Sequence, residues 1–134
     1  MRTRFAYILC LFALLAGTQA IATEKPTGTP VTGEQLKAMF TAPDGVFMEG
    51  RSPNGMRWYT FFLRSGQSFI QVKHRGGVLQ DTGSWRVEGD TLCFKWAIIR
   101  EGAEACHMHY EVGENAYQAW NGEGKLLNSY SLRP

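Results

Sequence analysis

The sequence predicts a mainly β domain, an antiparallel up-and-down meander of about eight strands curled into a small closed or half-open barrel, with one short N-terminal helix. Three observations support this. From Val46 onward, short runs rich in aromatic and β-branched residues alternate with Gly-bearing turns. No window after Val46 holds a helical period for three turns without a glycine. The connections are short, which favours successive antiparallel hairpins. A meander of this length leaves exposed edges unless it closes on itself. A two-sheet sandwich is the competing arrangement.

The N-terminus stands apart from the domain. Met1 to Arg4 is a short basic start, Phe5 to Gly17 is uncharged and apolar, and small residues follow at Ala20 and Ala22. This is the three-part layout of a secretory signal peptide over residues 1–22, cleaved after Ala20 or Ala22. The apolar run is short for a membrane span, which needs about 20 residues. Cleavage therefore leaves no transmembrane anchor. Cys10 has no small residue before it, which argues against a lipoprotein site. Residues 23–31, rich in Thr, Pro and Gly, read as a flexible leader, and residues 32–134 as a single β domain.

Within the domain, Thr32-Gly-Glu-Gln35 spells a capping box, and Leu36, Met39 and Phe40 follow at helical spacing. This predicts a helix from Gly33 to Phe40, ended by the turn chemistry of Ala42-Pro-Asp-Gly45. The predicted strands are Val46–Gly50, Met56–Arg64, Ser68–His74, Val78–Glu88 with a break near Thr82-Gly83, Thr91–Ile98, Ala105–Val112, Ala116–Trp120 and Lys125–Leu132. Alternation puts Trp58, Thr60 and Phe62 on one face. It makes apolar faces of Leu92, Phe94, Trp96 and Ile98, and of Met108, Tyr110 and Val112.

Composition excludes some partners. The chain has 14 Lys+Arg against 12 Asp+Glu, and removing Arg2 and Arg4 with the leader makes the formal charge zero. No nucleic-acid partner is expected from such a balance. Of three cysteines, only Cys93 and Cys106 remain after cleavage, and an even count in an exported domain reads as a disulfide. Closing that loop contributes roughly 3 kcal/mol in the chain-entropy model. The pairing conflicts with the faces above, because Cys93 lies opposite Leu92 and Phe94 while Cys106 shares a face with Met108 and Tyr110. A β-bulge beside one cysteine would reconcile them.

The sharpest candidate chemistry is His107-Met-His109-Tyr-Glu111. Alternate strand residues share a face, so His107, His109 and Glu111 offer two imidazoles and a carboxylate to a metal such as zinc. A solvated polar face opposite Met108 and Tyr110 is the plainer reading. No Gly-x-Ser-x-Gly elbow is present, and oxidised cysteines supply no thiolate nucleophile. The aromatic residues Trp58, Trp85, Trp96, Tyr110 and Trp120 would either line an apolar pocket or form a protein-binding patch.

The run Gly83-x-Trp85-x-Val87-x-Gly89-Asp90-x-Leu92-Cys93-x-x-Trp96, followed by Cys106, resembles a family of small exported alpha-proteobacterial proteins catalogued as domain of unknown function 995. The similarity is domain-long and includes the Thr-Gly-Glu-Gln-Leu-Lys helix start and the late Asn-Gly-Glu-Gly-Lys turn. It implies an exported bacterial domain and carries no activity. Lipocalins and avidin-like barrels also use Gly-x-Trp at strand ends, an analogy of architecture only. The resulting expectation is a non-enzymatic, periplasmic or secreted binding protein of the cell envelope. Its partner would be a small apolar ligand or an envelope protein, with no cofactor. The alternative is a metal-binding protein or metal-dependent enzyme using His107, His109 and Glu111.

Overall fold

The computed structural model describes residues 24–133, so the signal segment read at residues 1–22 lies outside the described residues. Nine strands and one helix follow in order: β1 Thr29–Pro30, α1 Gly33–Phe40, β2 Val46–Arg51, β3 Arg57–Phe62, β4 Gln67–His74, β5 Gly77–Glu88, β6 Thr91–Trp96, β7 Ala105–Gly113, β8 Ala116–Trp120 and β9 Leu126–Arg133. Each strand from β2 to β9 pairs antiparallel with its sequence neighbours, and β9 pairs back onto β2. The result is a closed eight-stranded up-and-down barrel. Closure leaves none of those strands as a free edge, the hazard a flat meander would carry.

β1 was expected to lie in a flexible leader. Instead Thr29 and Pro30 pair with Glu111 and Tyr110 of β7, past the last residue that β6 covers on that strand. Val31 follows into the core at 6% exposure and donates its N–H to the His109 carbonyl. The proline is tolerated because so short a strand makes few ladder bonds.

The helix has the predicted bounds and cap. Gln35 N–H donates to Thr32 Oγ1, and Thr32 N–H donates to Gln35 Oε1. Eight residues are too few to stay helical without packing. Leu36 and Phe40 supply it, both fully buried in the core with Val46, Phe62 and Leu92. Phe40 meets Phe62 edge-on at 4.9 Å and Trp85 at 5.9 Å. The helix start is fixed by Gly33, whose N–H donates to Asp90 Oδ1 at 2.6 Å. A Cβ at Gly33 would sit 2.0 Å from the Gly89 carbonyl oxygen, so only glycine permits this approach. The helix thus plugs the end of the barrel at which the β5–β6 hairpin turns.

β5 was expected to break near Thr82-Gly83, but it is one continuous strand of 12 residues. Its first part, Gly77–Ser84, pairs with β4, and its last, Gly83–Glu88, pairs with β6. The glycine marks where the strand changes partners. A Cβ there would meet the Lys95 carbonyl oxygen at 2.3 Å and the Trp96 ring at 2.8 Å.

The β7 faces are the main correction. Ala105, His107 and His109 line the interior, whereas Cys106, Met108 and Tyr110 alternate with them and face outward. The register is regular here: Leu92 opposes His107, Cys93 opposes Cys106 and Phe94 opposes Ala105. Both cysteines therefore stand on the outer face of the barrel, and the disulfide forms with no bulge beside it. The register shifts that do occur are elsewhere, at Glu111/Gly113 and Ala119/Trp120.

Candidate ligand cavity

The interior is not filled by side chains. Above the helix plug lies a cavity of about 310 Å³. Its walls are chiefly apolar: Met48, Trp58, Phe62, Ile70, Val72 and Phe94 belong to the lining. Its far end is bounded by Ser52 and Met56 of the β2–β3 connection, Arg100 of the β6–β7 connection and Leu127 at the start of β9. Hairpins of an up-and-down barrel alternate between its two ends, so these loops form a mouth opposite α1.

Trp58 is set against the wall by a missing side chain. It pairs with Gly50 across β2 and β3, and a Cβ at Gly50 would lie 2.1 Å from the indole. The indole N–H donates to Asn128 Oδ1 at 3.0 Å. Both partners line the cavity, leaving the amide NH₂ of Asn128 as a further donor there.

The polar centre of the wall is His109 and Tyr130. Both are buried, at 2% and 5% exposure, and Nδ1 stands 2.6 Å from the phenol oxygen. Tyr130 also stacks on Tyr117 at 5.3 Å. Burial pushes the phenol far above its usual range, with the Tyr117 hydroxyl adding to the shift. Burial pushes His109 down to about 3, reinforced by His107. Both groups are therefore neutral at neutral pH. The hydroxyl has no other partner among the described residues, so we assign it as the donor to Nδ1, which puts the imidazole proton on Nε2. The opposite tautomer would strand two buried polar sites in place of one. Nε2 is buried and has no hydrogen-bond partner among the described residues. An unmet donor at such a place costs about 1–3 kcal/mol, which a ligand acceptor would recover.

His107, two residues nearer the mouth, lies beside Phe94 with ring centres 6.1 Å apart. Burial pushes it down to about 4, and the Arg100 charge adds to the shift. Arg100 belongs to a short 3₁₀ turn, Ile99–Gly102, that leads from β6 to β7. Asp81 of β5 anchors that turn: its Oδ2 accepts from Ile98 N–H at 2.9 Å and Ile99 N–H at 2.8 Å, and its Oδ1 accepts from Thr82 N–H. Burial would raise this carboxyl, but the backbone donors of Ile99, Ile98, Thr82 and Ala97 together hold it below its ordinary value.

The sequence candidates divide accordingly. Trp58 and Trp96 line the cavity. Trp85 lies at the plugged end, where its indole N–H donates to the Leu63 carbonyl. Trp120 is buried outside the cavity lining, and Tyr110 is half-buried on the outer face. The metal trio does not converge. His107 and His109 face inward, but Glu111 is exposed beside the β7–β8 turn at the plugged end. A strand rises about 3.4 Å per residue, so residues four apart stand about 13 Å apart although they share a face. Among the described residues, the one group of three or more potential ligands drawn together is Glu88, Cys93, Glu104 and Cys106. Its sulfurs are bonded to each other, and its carboxylates hold Arg86. Arg100, Asn128 and Asp81 were not singled out in the sequence. Asn128 and Asp81 act through partners distant in the chain, and Arg100 is placed by the hold of Asp81 on its turn, none of which a local motif announces.

No helix among the described residues is long and apolar enough to cross a membrane. No family model matches the chain, and neither a curated protein nor a solved structure matches it.

Proposed function

We propose that this is a non-enzymatic binding protein, exported to the periplasm or beyond, whose barrel carries one small and largely apolar molecule with a hydrogen-bond acceptor on its body. The observation that carries the reading is the partnerless, buried Nε2 of His109 in the wall of an otherwise apolar cavity. Apolar walls supply affinity, and a few fixed polar groups supply orientation. The cavity is near the lower end of the usual range of about 300–1,000 Å³, so the molecule is smaller than a typical drug. Held neutral far below neutral pH, His107 and His109 suit hydrogen bonding better than acid–base catalysis, which favours a group titrating near the working pH. The Cys93–Cys106 disulfide supports an oxidising compartment.

Native mass spectrometry of the protein isolated from the cells that make it tests this reading. One bound molecule of a few hundred daltons or less is expected, with occupancy reduced in His109→Leu. A bare chain that also takes up none of a panel of small apolar compounds would contradict it.

A further inference from the structure

Among the described residues, Arg100 is the only charged side chain in the cavity lining, and no carboxylate faces it there. Arg100 is exposed at the mouth, and among the described residues it makes no ion pair. Its backbone is unusual. Arg100 has φ 58° and ψ 28°, Glu101 has φ 56° and ψ 30°, and Gly102 has φ 76°. Left-handed backbone costs a non-glycine residue roughly 1–2 kcal/mol, and here two such residues are consecutive. The anchorage that holds this turn is equally specific: Asp81 takes the N–H groups of Ile98 and Ile99, and Ala97 N–H donates to the Thr82 carbonyl. Strain of this kind persists only where surrounding contacts over-determine it, and it clusters at functional sites. The contacts that fix this turn place a guanidinium with no partner among the described residues at the entrance to an apolar chamber.

Resting on the reading that the cavity holds a small apolar molecule, we infer that its ligand is a monocarboxylic acid, bound tail-first with its carboxylate on Arg100 at the mouth. A guanidinium binds a carboxylate through two parallel N–H···O bonds. One Arg balances one negative charge, whereas a phosphate monoester carries roughly −1.5 to −2 and would be left under-neutralised. The charged head stays at the mouth because Arg100 is exposed and the deeper wall offers only neutral donors. Burying a carboxylate against those would cost several kcal/mol. His109 lies further along β7 from the mouth than His107, so its Nε2–H meets the body of the acid rather than its head. The expected ligand is therefore a medium-chain or single-ring acid carrying one additional neutral oxygen.

Octanoic acid, 1-octanol and octylamine are matched probes of the head group, and Trp58 and Trp96 in the lining report their entry by fluorescence. Octanoate should bind about tenfold more tightly than octanol, the difference expected of one charge-assisted pair, and octylamine more weakly than either. Arg100→Gln should bring octanoate to the affinity of octanol and leave octanol unchanged; Arg100→Lys should retain part of the preference. Because the Arg100 side chain is exposed and unpaired among the described residues, an unchanged melting temperature is expected for both variants. Equal binding of octanoate and octanol, or an Arg100→Gln variant that keeps the preference, would overturn the carboxylate while leaving an apolar site in place. Failure of all three probes to bind the wild-type barrel would overturn both readings.

Discussion

His109 and His107 tie the interior to pH. Each is neutral in the fold, at about 3 and about 4, against 6.5 when unfolded. Between those values the unfolded chain binds more protons, so stability is complete above about pH 6.5 and declines as pH falls toward 4. One charging group contributes up to about 1.4 kcal/mol per pH unit. Urea midpoints measured between pH 7 and 5, above the range where carboxylates titrate, should therefore fall, and His107→Phe should make the descent shallower. Parallel curves for the two proteins would contradict the assignment. Asp81 acts in a lower window. Its folded pKa is depressed, so its contribution is present above its ordinary value of 3.8 and is lost as pH falls through the folded value. At neutral pH, Asp81→Ala removes a charged acceptor from the mouth turn and should cost about 3 kcal/mol in urea unfolding. Ser68 is the reverse case, a fully buried hydroxyl with no partner among the described residues. Ser68→Ala should be neutral or stabilising by about 1 kcal/mol, seen as a melting temperature that does not fall.

At the scale of elements, the docking of α1 is set by backbone approach as much as by its apolar edge. Gly33→Ala places a methyl group against the Gly89 carbonyl, a backbone atom that cannot swing aside as a side chain would. The helix must shift, and Leu36 and Phe40 shift with it. A loss of about 1–3 kcal/mol is expected, the range of overpacking, and thermal unfolding measures it. The cap, the helix bounds and the strand order were legible because local signals carry them: Thr32 with Gln35, Gly89-Asp90 between two apolar runs, and Gly-rich turns at short intervals. The facing of β7 was not. Its outward residues Met108 and Tyr110 are more apolar than its inward His107 and His109, so alternation pointed the wrong way. A strand around a ligand chamber can turn polar groups inward, and the usual rule of apolar-in then fails at the place where function lies. The disulfide held the clue, since two bonded cysteines on paired strands must share a face.

At the scale of the whole molecule, closure by β9 on β2 converts a meander into a chamber with one end plugged by α1 and the other bordered by loops. The barrel class followed from strand count and turn length. Whether it was filled did not, because that depends on volumes summed across eight strands, including the small Gly50, Ala105 and Ala119 among large aromatic neighbours. Ala105 and Ala119 leave room for a guest, while the space over Gly50 is taken by the Trp58 indole; such small residues cost the protein packing it would otherwise gain. Ala119 is 3% exposed and lines the chamber. In Ala119→Leu the added side chain enters the space reserved for the guest. The decisive measurement is ligand occupancy by native mass spectrometry, for wild type and Ala119→Leu isolated side by side from the producing cells. The barrel-chamber account predicts a bound small molecule in the wild type and a bare chain in a folded Ala119→Leu. Equal occupancy in both would place the ligand elsewhere and contradict it.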